Sequence, residues 1–157
     1  MVPVPLPVPI LDRLPASFWT VPYVGRRFPG SPAAAAGRAD LSAGANCQLF
    51  AYEVLRHFGL APPALRSSDL WTDTRCTIRV PSAQPQPLDL LLFNATDDAY
   101  GAHVGVWAGE GGGGTVLHLC AEVGRPAVWA MPEFAARERY RVLIGVKRVI
   151  AGGPALL

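Results

Sequence analysis

The sequence has little charge: Asp, Glu, Lys and Arg make up 17% of its 157 residues, and the net charge is only +2. Because this charge is weak and scattered, it does not predict a surface that binds a phosphate backbone, and a nucleic-acid partner is excluded. No apolar run approaches the roughly 20 residues that a bilayer-spanning helix needs, so no membrane span is expected. Half of the residues are hydrophobic, which predicts a single domain with a buried core rather than a disordered chain.

Cysteine is also scarce. The three cysteines are an odd number without a CxxC spacing, which argues against a disulfide scaffold and favours reduced thiols in the cytoplasm. Met1–Ile10 is apolar but carries proline at every second position from Pro3 to Pro9. These prolines prevent the helical apolar core of a signal peptide, so we expect an extended segment and a cytoplasmic protein.

One helix is predicted clearly, from Cys47 to Phe58. Apolar residues recur there at the i, i+3, i+4, i+7 spacing of a buried helix face, whereas Gln48, Glu53 and Arg56 fall away from that face. Asn46 is a natural N-cap, and Gly59 is a natural C′ residue.

From Asp89 onward the pattern changes to short β-branched or aromatic runs bounded by turn residues. Gly111–Gly114 is predicted to be a hairpin loop, and Pro132–Arg139 a short helix. A helix followed by an antiparallel meander predicts an α+β domain. The four predicted strands are Leu90–Phe93, His103–Ala108, Val116–Cys120 and Val142–Val149.

Three residues suggest nucleophilic catalysis. Cys47 is in the first turn of a helix, where free backbone N–H groups and the helix dipole favour a thiolate. His103 opens a strand, and His118 is in the next strand, where it can become a cross-strand neighbour of His103. A thiol needs a base, and the base needs a third group that fixes its tautomer.

Each of these residues also has a plainer interpretation, as a buried thiol or as a histidine bonded to a carbonyl oxygen. A zinc site formed by Cys47, His103, His118 and Cys120 is a further alternative, since all four are acceptable ligands. None of them has the paired spacing of a structural zinc module. We therefore predict no metal and no cofactor.

These residues, in this order, resemble the NlpC/P60 cysteine peptidases of the papain-like superfamily. Leu88–Phe93 is similar to the family's Gly-Asp-Leu-Val-Phe-Phe strand, His103–Trp107 to its His-Val-Gly-Ile-Tyr strand, and Val116–His118 to its Ile-His strand. Pro22–Gly25 resembles its Pro-Tyr-Val-Trp-Gly segment. The resemblance covers about residues 20–149. It implies a papain-like fold in which the helix bearing the cysteine packs on a small antiparallel sheet of about five to six strands.

The resemblance also implies roles and boundaries. Cys47 would be the nucleophile, His103 the base and His118 its orienter, with Tyr23 lining the site. Residues 21–150 would form the catalytic domain, after a Pro-rich segment at 1–20 and before a tail at 151–157. The substrate would be a peptide or a small molecule with an amide bond, and the oligomeric state is left open.

Two departures from the family bear on the substrate. Leu88 replaces the usual Gly, and Asn46-Cys47-Gln48 replaces Asp-Cys-Ser, whose Asp and Ser help to bind the free amine of cell-wall peptides. Asn46 and Gln48 are thus candidates for contact with substrate or oxyanion. The Asn-Cys-Gln-x-Phe run also resembles the lecithin:retinol acyltransferase branch, but there the histidine precedes the cysteine. Amide hydrolysis is the main hypothesis; acyl transfer to a small metabolite and a catalytically silent binding module are the alternatives.

Overall fold

The computed structural model describes residues 9–32, 40–109 and 114–150. The described α-helices are α1 (Ile10–Arg13), α2 (Cys47–His57), α3 (Ser67–Thr72) and α4 (Met131–Ala135). Short 3₁₀ helices span Ala16–Thr20, Leu41–Ala43 and Glu138–Tyr140. Within these ranges no helix is long and apolar enough to cross a membrane.

A single antiparallel sheet forms the centre of the described chain, with the strand order β1-β6-β2-β3-β4-β5. The arrangement is therefore α+β with one open sheet of six strands, which confirms the predicted class. Two of the strands, β1 and β5, were not predicted. Both are short edge strands with polar or proline-containing sequences, so neither has the continuous apolar run of a central strand. The strands are β1 (Thr77–Val80), β2 (Leu90–Asn94), β3 (His103–Gly109), β4 (Thr115–Leu119), β5 (Pro126–Ala130) and β6 (Val142–Val149).

The two faces of the sheet are buried by different residues. On one face, α2 packs on β3 and β4 through a mostly aliphatic cluster that includes Val54, Leu90 and Leu117. On the other face, α4 and the 3₁₀ helix Glu138–Tyr140 cover an aromatic cluster with Trp129 and Phe134. Because side chains alternate along a strand, the odd-numbered residues of β3, beginning with His103, share the aromatic face.

Helix α2 begins and ends close to where the sequence predicts. The Asn46 side chain accepts a hydrogen bond of 2.8 Å from the Leu49 N–H, and Gly59 adopts a φ of 92° just beyond the helix. Gln48 and Glu53, which fall away from the apolar face of the helix, are nevertheless buried. The segment after the helix covers that side, and Arg66 Nε donates to Gln48 Oε1 at 3.3 Å.

Turns at the ends of the strands correct or extend other predictions. The predicted helix 132–139 is two elements, because α4 ends at Ala135 and a 3₁₀ helix starts at Glu138. Leu88 has a φ of 78°, a region where a Cβ is disfavoured and glycine is favoured. Residues 111–113 of the predicted hairpin loop, the predicted tail 151–157 and Met1–Val8 of the Pro-rich segment lie outside the described residues.

Candidate active site

A cavity of about 320 Å³ opens at the end of the sheet where β3 begins and α2 starts. This volume lies at the lower end of the range for small-molecule sites. Cys47 and His103 both line it, so the structure brings together two of the three proposed catalytic residues. The other lining residues are Tyr23, Asn94, Gly101, Ala102, Cys120, Ala121, Arg139 and Tyr140.

His118 lies behind His103 and bonds to it directly. The His103 Nε2 and His118 Nδ1 atoms are 2.8 Å apart, and the two rings are almost perpendicular. The register places Val106 opposite Leu117, so Gly105 lies opposite His118. A Cβ at Gly105 would come within 2.5 Å of the Val116 side chain and 3.4 Å of the His118 Cβ. Glycine in the His-Val-Gly-Val strand therefore provides the room in which the two imidazoles meet.

Aromatic rings pack against His118. Trp129 lies 4.2 Å and Phe134 4.8 Å from the His118 ring, measured between ring centroids. His118 is 1% exposed, and its Nε2 atom is buried without a hydrogen-bond partner among the described residues. Among the described residues the His118 imidazole thus has a single polar contact, and through it His118 can orient only the His103 ring.

The Cys47 sulfur is more strongly desolvated than its position at a helix start suggests. Desolvation raises the pKa of the thiol above its ordinary value of 9.0, although backbone N–H groups of Val104 and Gln48 act in the opposite direction. Burial therefore opposes the thiolate that the helix start favours.

Both histidines rest in the neutral form. Burial lowers the pKa of His118 to about 3, with a smaller effect from the Arg137 charge. Burial also lowers the pKa of His103 well below 6.5, and the charges of His118 and Arg139 add to this effect. A neutral imidazole has a free lone pair, so at physiological pH His103 is in the form that a general base requires.

The three candidate binding residues are placed differently. Tyr23 lines the cavity, and burial raises the pKa of its phenol, which therefore stays protonated and able to donate a hydrogen bond. The Asn46 and Gln48 side chains do not line the cavity. Each is used within the protein instead, Asn46 as the helix cap and Gln48 as the partner of Arg66. Contact between these two side chains and a substrate is therefore not supported, and only their backbone remains near the sulfur.

Arg139 and Tyr140 line the cavity without having been predicted from the sequence. They belong to the 3₁₀ helix that precedes β6. The Arg139 charge and the Tyr140 ring reach the site only because that helix folds over the end of the sheet. The spacing of apolar residues along the sequence cannot predict such a placement. Cys120 also lines the cavity, although the sequence suggested it only as a zinc ligand.

No group of three or more His, Cys, Asp or Glu residues in the described ranges is arranged to hold a metal ion, including the four suggested for zinc. The arrangement of thiol, neutral imidazole and second imidazole instead suits proton transfer from Cys47. Comparisons of the chain with protein-family models, curated proteins and solved structures gave no match.

Proposed function

We propose that the protein is a cysteine-dependent amide hydrolase with a fold of the papain-like NlpC/P60 type. The observation that carries the proposal is the 2.8 Å contact between His103 Nε2 and His118 Nδ1, at a cavity that His103 shares with Cys47. A thiol, an imidazole and a second imidazole that bonds to the first correspond to the nucleophile, the base and the orienting group of a catalytic triad. The substrate is a peptide or a small molecule with an amide bond.

The tautomer of His103 follows from this contact. When Nε2 of His103 carries the hydrogen and donates it to Nδ1 of His118, Nδ1 of His103 keeps a lone pair for the Cys47 proton. His118 Nε2 then carries a hydrogen that faces apolar surroundings rich in aromatic rings. An N–H group is attracted to the negative face of an aromatic ring, so these surroundings favour the productive tautomer.

The reaction starts from neutral groups. His103 Nδ1 takes the thiol proton while the Cys47 sulfur bonds to the acyl carbon, and the carbonyl oxygen becomes an oxyanion. The C–N bond then breaks, and His103 returns the proton to the leaving amine. Water attacks the resulting thioester with His103 as base, which releases the acid and restores the thiol.

Backbone N–H groups at the start of α2 stabilise the oxyanion in this mechanism. The Cys47 N–H is one of the unpaired donors of a helix N-terminus, and it is close enough to the sulfur to lower the pKa of the thiol. Removal of a single oxyanion donor typically costs about 10² to 10³ in kcat. The buried Asn46 cap, which holds the Leu49 N–H at 2.8 Å, keeps this first turn in place.

The direct test replaces the nucleophile. A panel of N-acyl amino-acid p-nitroanilides is screened with the wild-type protein, and Cys47→Ala is expected to lose all turnover of the amide that is cleaved. Cys76→Ala is the matched control, because Cys76 is a partly buried thiol outside the cavity. Circular dichroism checks that both variants fold. Full activity of a folded Cys47→Ala protein would contradict the cysteine mechanism.

A further inference from the structure

Among the described residues, the side chains that line the candidate active-site cavity include a positive charge and no negative one. Arg139 is the one side chain with a permanent charge among the described residues that line it, and no acidic residue lines it. The Arg139 charge is close enough to lower the pKa of both Tyr23 and His103. The Arg66 charge lowers the pKa of the Cys47 thiol in the same way. Positive charge therefore predominates near the candidate catalytic residues.

Arg139 has no carboxylate partner among the described residues, unlike Arg137 and Arg148. Arg137, two residues earlier, pairs with Glu122 at 2.9 Å, and Arg148 forms a two-bond pair with Asp89 at 2.8 and 2.9 Å. Within the described ranges Arg139 forms no ion pair; its guanidinium lies 5.8 Å from the Tyr140 ring. The guanidinium bonds to the Tyr140 phenol. Because a guanidinium has five N–H donors in a planar fork, Arg139 keeps donors with which to bind a planar anion.

Asn94, another polar residue on the wall, has its side chain engaged within the protein. Its amide nitrogen donates to the Asp98 and Tyr100 carbonyl oxygens at 2.8 and 3.0 Å, and its oxygen accepts from the Ala95 N–H. Asn94 thus shapes the loop before β3 and leaves little donor capacity for a ligand. The Tyr140 phenol is bonded to Arg139 and Cys120. Arg139 and the Tyr23 phenol are therefore the remaining side-chain donors on the wall for an anionic group.

We infer that the cavity selects amide substrates that carry a carboxylate close to the scissile bond, and that Arg139 binds this carboxylate. The inference rests on the proposed function and names its substrate class. It contrasts with recognition of a free amine, for which this cavity offers no acidic side chain among the described residues. Tyr23, as a protonated donor on the same cavity, can share the carboxylate with Arg139.

The test uses two alkylating reagents that differ only in charge. Iodoacetate and iodoacetamide react with a thiolate in the same way: a sulfur–carbon bond forms, and iodide leaves with the electron pair of the carbon–iodine bond. The ratio of their rates at Cys47 therefore isolates the effect of the carboxylate, because a change in the thiol pKa alters both rates equally. Labelling at pH 7 is followed by mass spectrometry of the Cys47 peptide, with the Cys76 peptide as internal reference.

The expected result is a higher ratio at Cys47 than at Cys76. The ratio should fall about fivefold in Arg139→Gln, the upper end for a solvent-reachable ion pair. Arg139→Lys should lose part of it, and added salt should lower it in the wild type. Arg125→Gln is the control, since Arg125 is exposed and does not line the cavity. An unchanged ratio in Arg139→Gln, or an equal fall in Arg125→Gln, would overturn the inference.

A second measurement separates this inference from the proposed function. Succinate is titrated into the wild-type protein and into Arg139→Gln while the amide signals of Gly101 and Ala102 are followed by NMR. The inference predicts saturable shifts in the wild type that are lost in the variant, whatever the reactivity of Cys47. Equal affinity in the two proteins would overturn it. Slow alkylation of Cys47 by both reagents, relative to Cys76, would instead contradict the proposed function.

Discussion

The two faces of the sheet are buried by different kinds of side chain. The α2 face is packed mainly with aliphatic residues such as Val54 and Leu90, and these hold the helix that begins at Cys47. The opposite face is packed with aromatic rings, and it contains both imidazoles within 5 Å of Tyr140 or Phe134 between ring centroids. In the proposed mechanism, the first face positions the nucleophile Cys47, and the second keeps its base His103 neutral.

This difference shows how burial acts on chemistry. An aliphatic interior needs no polar group, so substitutions there change stability and little else. An aromatic interior around an imidazole removes water and lowers the imidazole pKa, which keeps the base neutral. The candidate site lies where the two interiors meet, at the start of β3.

The largest expected effects separate the two histidines. His103→Ala should lower kcat/KM for the cleaved amide by about 10² to 10⁴, the usual contribution of a general base. His118→Asn should retain measurable activity, because its side-chain oxygen takes the place of Nδ1 and can still accept the His103 hydrogen bond. His118→Ala should lie between them. If a folded His118→Asn protein were as inactive as His103→Ala, the two roles would be reversed or His118 would contact substrate.

The next comparison uses one substitution on each face. Leu90→Ala removes a fully buried aliphatic side chain and should lower the free energy of unfolding by about 2 to 5 kcal/mol, with kcat unchanged in the folded protein. Phe134→Leu keeps a branched apolar side chain in place of the ring and should lower the free energy of unfolding by about 1 to 3 kcal/mol. It should nevertheless lower kcat more, because Phe134 contacts the His118 ring. Urea unfolding and kinetics measure both; the reverse ranking of kcat effects would remove the distinction between the faces.

A smaller effect is expected in the pH dependence of stability. The folded protein keeps His118 neutral down to a pKa of about 3, whereas the unfolded chain takes up this proton near pH 6.5. The unfolded state therefore binds more protons, and the free energy of unfolding should fall by about 3 kcal/mol from pH 7 to pH 4 through His118. His118→Asn should flatten this dependence. An identical slope in both proteins would show that folding does not lower the pKa of His118.

The sequence predicts the parts of the molecule that depend on local patterns. Helix α2, its Asn46 cap and the central strands follow from periodicity and capping, and Val104 and Val106 are buried while His103 lines the cavity. The edge strands β1 and β5 escape prediction because their burial is partial. Arg139 reaches the cavity only through the tertiary packing of a three-residue 3₁₀ helix, and the raised pKa of Cys47 depends on how completely neighbours exclude water.

The most direct test of the account is the pH profile of Cys47 alkylation by iodoacetamide, in the wild type and in His103→Ala. The rate constant is taken from mass spectrometry of the Cys47 peptide between about pH 5.5 and 8, the range in which a neutral imidazole acts as base. We predict a nearly constant rate in the wild type, because His103 is neutral throughout and removes the thiol proton during attack. In His103→Ala the rate should be lower and should rise about tenfold per pH unit, as for an unassisted thiol. A wild-type rate that rises as steeply as that of His103→Ala would contradict the proposed Cys47–His103 pair.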